Sequence, residues 1–109
     1  MDWETLDSAE SLQAAFDASH EQLVVLFKHS TRCSISRMAL KMTTHGWDLP
    51  DSVRPFLLDL LAHRDLSQII AETLDIHHES PQMLVIQNGK CIHHANHDRI
   101  DPAAVKAYL

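Results

Sequence analysis

Apolar residues in this chain fall into short blocks, and their spacing changes from block to block. Leu12, Ala15, Phe16 and Ala18 recur at roughly helical spacing and predict a helix over 8–19. Asp7 is its expected N-cap, with Glu10 three positions on as the reciprocal partner. QLVVLFK, from Gln22, is continuously apolar and rich in Val and Leu, as suits a central strand covered on both faces. Helical spacing returns over 34–44, with Ile35, Met38, Ala39 and Met42 on one side. THGWDLPDS, 44–52, has the Gly, Pro and Asp chemistry of a loop.

PFLLDLL, 55–61, reads as a second buried strand, although periodicity alone does not separate it from a short helix. Asp65 is placed to cap a helix carrying Leu66, Ile69, Ile70 and Leu74. Pro81 precedes a short strand, MLVIQ, at 83–87. Asn88-Gly89 then predicts a two-residue hairpin, because both residue types accept positive φ, and KCIHHAN, 90–96, is the returning strand. Asp101-Pro102 pairs an N-cap with the favoured first helical residue and opens a last helix running to Leu109.

The alternation of strands and helices predicts an α/β fold with right-handed crossovers and parallel pairing, to which the hairpin adds an antiparallel strand. No repeat, low-complexity segment or second domain interrupts it, so residues 1–109 read as a single domain.

Composition narrows the function. With 45% apolar residues in 109, the chain can bury a core without disulfides or metal. A net charge of -6 argues against a general nucleic-acid binder. No window approaches the roughly 20 apolar residues that span a bilayer, so no membrane partner is expected. The acidic start, MDWETLDSAE, lacks the basic and apolar regions of a secretory signal, and the expected location is the cytoplasm. Two cysteines 58 positions apart are then expected as free thiols. Gly46 and Gly89 are the only glycines, which excludes a Gly-rich phosphate loop. Nine histidines include the clusters His77-His78 and His93-His94-x-x-His97. Neighbouring strand residues point to opposite faces, and no Cys-x-x-Cys or His-Glu-x-x-His accompanies them, so no metal ligands are assigned.

KHSTRCSIS, 28–36, joins the first predicted strand to the second predicted helix. Cys33 stands where that helix begins, where free backbone N–H groups and the positive end of the dipole favour a thiolate. Lys28, His29, Arg32 and Arg37 lie within five residues of it, and nearby cations act in the same direction. Cys91 shares a strand face with His93 and Ala95 by simple alternation and reads as a semi-buried structural thiol.

A Cys at the first strand-to-helix junction, with a Pro just before the hairpin, resembles the thioredoxin fold: a single thioredoxin-like domain, its central mixed sheet flanked by helices, with a C-terminal β-hairpin and helix. FKHSTRCSIS at 27–36, RDLSQIIAETLDIHHESPQMLVIQNGK at 64–90 and HHANHDRI at 93–100 resemble, more closely, the bacillithiol-system redox proteins of the YtxJ type, which are monothiol bacilliredoxin-like. The likeness runs from Trp3 to the last helix; Ser34 departs from it, since the family pattern usually has Pro after the cysteine.

The resemblance implies a thiol–disulfide oxidoreductase with Cys33 as nucleophile. Ser36 stands where dithiol relatives carry a resolving cysteine, so the mechanism is expected to be monothiol, with the Ser36 hydroxyl available to the thiolate and Arg32, Lys28 and His29 tuning it. Pro81 is expected to be cis, and Ser80 and Pro81 to dock an extended client. The implied substrates are S-thiolated cytosolic proteins, with a low-molecular-weight thiol, bacillithiol or a relative, as co-substrate. Another redoxin or reductase is an expected partner, and no tightly bound cofactor is expected. Two other readings stay open: a binding module that carries an iron–sulfur cluster through Cys33 and an external thiol, and a non-catalytic adaptor.

Overall fold

The computed structural model describes residues 1–109. Its centre is a five-stranded sheet of β1 Glu4–Leu6, β2 Val24–His29, β3 Arg54–Asp59, β4 Gln82–Gln87 and β5 Lys90–Asn96, in the spatial order β1-β3-β2-β4-β5. Helices α1 Ala9–Ala18, α2 Ser34–His45 and α3 Arg64–Leu74 cover it, with a 3₁₀ turn His97–Arg99 and a closing 3₁₀ helix Pro102–Tyr108. β3 lies parallel to β1 and β2, whereas β4 runs antiparallel to both β2 and β5, giving a mixed sheet.

β2 has a hydrogen-bonded neighbour on each side and all six of its residues are buried, as its unbroken apolar run requires. Alternation along the strand divides the core. Val24 and Leu26 pack with Leu12, Ala15, Leu66 and Ile70 under α1 and α3. Val25 and Phe27 pack with Val53, Met83, Val85 and Val105, against Ala39 and Leu40 of α2.

β1 has no counterpart in the sequence reading, because three residues with one buried side chain show no period. Tertiary contacts make it a strand. Trp3 Nε1–H donates to Thr44 Oγ1 at 3.0 Å and its ring meets Phe27 and Trp47 edge-on. The Arg54 guanidinium donates to both carboxylate oxygens of Glu4, at 2.7 and 3.0 Å.

Several element ends differ from expectation. Ser8, not Asp7, caps α1: Ser8 Oγ accepts the Ser11 N–H at 3.0 Å and Ser11 Oγ accepts the Ser8 N–H at 3.1 Å, so a serine fills the place expected of Glu10. α3 starts after His63, and Asp65 lies inside its first turn, where a carboxylate complements the dipole without capping. β3 stops at Asp59, two residues before the end of its apolar run. The last helix is 3₁₀, opened as expected by Asp101, whose Oδ1 accepts the Ala103 N–H at 2.9 Å. The hairpin has the expected turn, with φ of 53° at Asn88 and 74° at Gly89. Both N–H groups of that turn donate to Ser19, at its carbonyl (2.8 Å) and hydroxyl (2.9 Å), tying it to the end of α1.

α2 turns most of its apolar stripe outward. Ile35, Met38 and Met42 do share a face, but they are 62%, 58% and 66% exposed. The sheet is met instead by Ser36, Ala39, Leu40 and Thr43. Spacing fixes which residues lie together on a helix; the connection from β2 fixes which way they face.

Candidate active site around Cys33

Cys33 is the N-cap of α2, half-buried, with extended backbone (φ -103°, ψ 122°). Its N–H donates to the Ser30 carbonyl at 3.1 Å and its carbonyl accepts the Arg37 N–H at 3.0 Å, so the backbone around it is held at both ends. No side chain caps the helix and no acidic residue lies in its first turn. Cys33 therefore stands at the positive end of a twelve-residue helix with no competing anion in the first turn, although its sulfur makes no capping hydrogen bond.

Ser36, one turn on, is fully buried rather than a surface residue. Its oxygen accepts the Ser30 N–H at 2.9 Å and lies 2.7 Å from His29 Nδ1. No hydrogen bond joins it to Cys33. His29, the last residue of β2, faces α2 beside Phe27, with ring centroids 6.4 Å apart. Burial pushes its imidazole below the usual histidine range; Asp59 pulls it back up in part, while Arg37 adds to the lowering.

The cations named from sequence separate in space. Arg32 is exposed and makes no side-chain hydrogen bond. Arg37 donates from Nη1 to the Thr31 carbonyl at 3.2 Å and braces the loop before Cys33. Lys28 lies on the α1/α3 face, in line with Val24 and Leu26, and is fully buried. Its ammonium lies 3.2 Å from His78 Nδ1, which is also 3.1 Å from Ser67 Oγ. Burial pushes the Lys28 ammonium down to about 8. His78 is lowered by burial and by Lys28, with Glu79 opposing. Lys28 and His78 thus belong to a polar cluster behind the sheet, away from Cys33.

The Ser80–Pro81 peptide bond is cis. β2 and β4 pair up to Lys28 opposite Gln82, so the Ser80–Pro81 turn enters β4 at the end of β2 that leads into the Cys33 loop. Gln82, fully buried, donates from Nε2 to the His77 carbonyl at 3.1 Å and to Asn96 Oδ1 at 3.0 Å. It fixes the turn that carries Ser80 and Pro81. Neither this role nor the His29–Ser36 contact leaves a local signal in the sequence, since each depends on strand pairing or on a loop that folds back.

Cys91 needs a correction. A bulge in β5 at Ile92 sets Cys91 opposite Ile86 and His93 opposite Val85. Cys91 therefore packs against the core on the α1/α3 face, while His93 lies on the other face beside Tyr108. Burial pushes the Cys91 thiol up. His77 and His97 flank Glu79 at 3.8 and 3.6 Å, and no group of three or more His, Cys, Asp or Glu side chains converges to hold a metal.

Known proteins share this architecture. The solved structure of a proposed oxidoreductase with a thioredoxin fold is 27% identical, with a TM-score of 0.80, covering 95% of this chain and 90% of its own. Thioredoxin from Malassezia sympodialis is 17% identical, with a TM-score of 0.75, over 98% of this chain and 87% of its own. Thioredoxin from Fasciola hepatica is 14% identical, with a TM-score of 0.69, over 96% and 94%. A family model described as Monothiol bacilliredoxin BrxC matches residues 4–105, which take in Cys33, Ser36 and the Ser80–Pro81 turn. With a thioredoxin fold and a lone cysteine at the head of α2, this chain belongs to the monothiol bacilliredoxin BrxC family, and its function is a redox one.

Proposed function

We propose that the protein is a monothiol thiol–disulfide oxidoreductase that removes a low-molecular-weight thiol, bacillithiol or a relative, from S-thiolated client proteins in the cytoplasm. The observation that carries this reading is the separation of the two thiols. Cys33 heads α2 with a serine at the next turn, and Cys91 packs beneath the opposite face of the sheet. A mixed disulfide formed at Cys33 therefore has no internal thiol to resolve it and waits for an external one.

The Cys33 thiolate attacks the small-thiol sulfur of a client mixed disulfide. A new S–S bond forms to Cys33 as the client S–S bond breaks, and the client leaves as a thiolate that takes a proton from solvent. A second small-thiol molecule, as thiolate, then attacks the sulfur of the bound small thiol. This yields the oxidised small-thiol disulfide and returns Cys33 as thiolate, so the small thiol is the reductant. Cys33 stands at the positive end of α2, and Arg32, exposed at the loop, adds positive charge for an incoming anion. The Ser80 N–H and carbonyl, set by the cis bond to Pro81, are the groups proposed to pair with an extended client segment, since the Pro81 carbonyl already accepts the His97 N–H at 3.0 Å.

The test is single-turnover release of the small thiol from a thiolated client, followed by mass spectrometry in the Cys91→Ala protein. Cys33→Ala should abolish release while leaving the unfolding midpoint in place. Release that persists in Cys33→Ala refutes the proposal.

A further inference from the structure

The Ser36 hydroxyl has one proton to donate, and the structure leaves one acceptor for it. Its oxygen has two neighbours within hydrogen-bond distance: the Ser30 N–H, which only donates, and His29 Nδ1, which does either. It makes no bond back to a carbonyl of the preceding turn, unlike Thr43 and Thr44, which donate to Ala39 and Leu40. Ser36 is fully buried, so bulk water is not the acceptor. The pattern closes only when Ser36 O–H donates to Nδ1 of a neutral imidazole that carries its own proton on Nε2.

We propose that His29 is a positioning residue that withholds the Ser36 hydroxyl from Cys33 when neutral and releases it when protonated. The proposal rests on Cys33 being the nucleophile. In the imidazolium, Nδ1–H donates to Ser36 Oγ, which already accepts from Ser30 N–H. Both acceptor positions of the hydroxyl are then filled, and its proton turns to another acceptor. Cys33 lies three residues earlier on the same helical edge, and its thiolate is the anion of that turn. The change needs one proton from solvent at Nδ1, a rotation of the Ser36 O–H and a closer approach of the Ser36 and Cys33 side chains, which are not hydrogen-bonded in the resting arrangement; no covalent bond between heavy atoms is made or broken.

The charges that act on His29 are Asp59 at the end of β3 and Arg37 on α2. Lys28, its neighbour on β2, points to the opposite face, and the Ser80–Pro81 turn brings no ionisable side chain alongside. Burial and Arg37 favour the neutral ring over the opposing Asp59, so the withheld arrangement is the resting one at neutral pH. The serine in the resolving position then serves the histidine and makes no bond to the sulfur.

Two measurements in the Cys91→Ala protein test this. In ring ¹⁵N spectra above pH 7, His29 should carry its proton on Nε2 with Nδ1 bare; a proton on Nδ1 overturns the proposal, whatever any variant does. In iodoacetamide alkylation of Cys33 against pH, His29→Leu frees the hydroxyl. It should move the midpoint down by about one pH unit, the size of one hydrogen bond to a charged acceptor. The same substitution in a Ser36→Ala background should leave the midpoint where Ser36→Ala alone puts it. An equal shift in both backgrounds, or none in the first, overturns the proposal. Small-thiol release by Cys33→Ala is scored separately, so failure of the oxidoreductase reading is distinguishable from failure of the His29–Ser36 coupling.

Discussion

Replacing Lys28 by methionine should stabilise the protein at neutral pH, and the gain should shrink in alkali. Lys28 is fully buried, and its one hydrogen-bond partner is His78 Nδ1 at 3.2 Å, with no carboxylate in ion-pair range. Burial pushes the ammonium from 10.5 down to about 8. At 1.36 kcal/mol per pH unit this sets an upper limit of about 3.4 kcal/mol on the cost of keeping it charged, which solvent screening reduces to about 2 kcal/mol. Methionine loses the bond to His78, worth about 1 kcal/mol, but keeps the apolar stem, and Ser67 Oγ remains 3.1 Å from the same nitrogen. A net gain of about 1–2 kcal/mol is expected at pH 7.

The pH dependence has a fixed sign. Below about 8 both folded and unfolded chains hold the proton, and the burial cost stands in full. Between about 8 and 10.5 the unfolded chain binds a proton that the folded one has released, so stability rises with pH in the parent but not through this group in Lys28→Met. Urea unfolding at pH 7, 8, 9 and 10 measures both effects. The comparison belongs in a Cys91→Ala background, because burial raises the Cys91 thiol and its slope has the opposite sign. A Lys28→Met protein less stable than its parent at pH 7, or a gap that stays constant to pH 10, refutes the reasoning.

Gly89→Ala should cost about 1 kcal/mol in chemical denaturation, from its φ of 74° alone, since the added Cβ meets His20 Cε1 at an ordinary 3.7 Å; unchanged stability would contradict that. Cys91, half-buried with a raised thiol, should be alkylated at least about tenfold more slowly than Cys33 at pH 7.5, as read by peptide mass spectrometry; equal rates would mean that the α1/α3 face opens readily around it.

Much of this protein follows from local chemistry in the chain. The run from Val24 to Phe27 demands cover on both faces, Asn88-Gly89 demands a two-residue hairpin, and Asp101-Pro102 demands a helix start; all three stand in the structure. Cys33 at the head of α2 follows as well, because a strand run, a cysteine and a helical pattern are consecutive. Tertiary structure decided what depends on partners far along the chain. β1 exists because β3 receives it and Trp3 is anchored on Thr44. Cys91 lies on the face opposite His93 because a bulge adds one residue to an alternation that period two treats as unbroken. Lys28 and His29 are adjacent in sequence, yet strand geometry sends one to His78 behind the sheet and the other to Ser36 beside the thiol. The sequence places four basic residues within reach of Cys33; only the pleat of β2 and the rotation of α2 decide which of them share its side of the sheet.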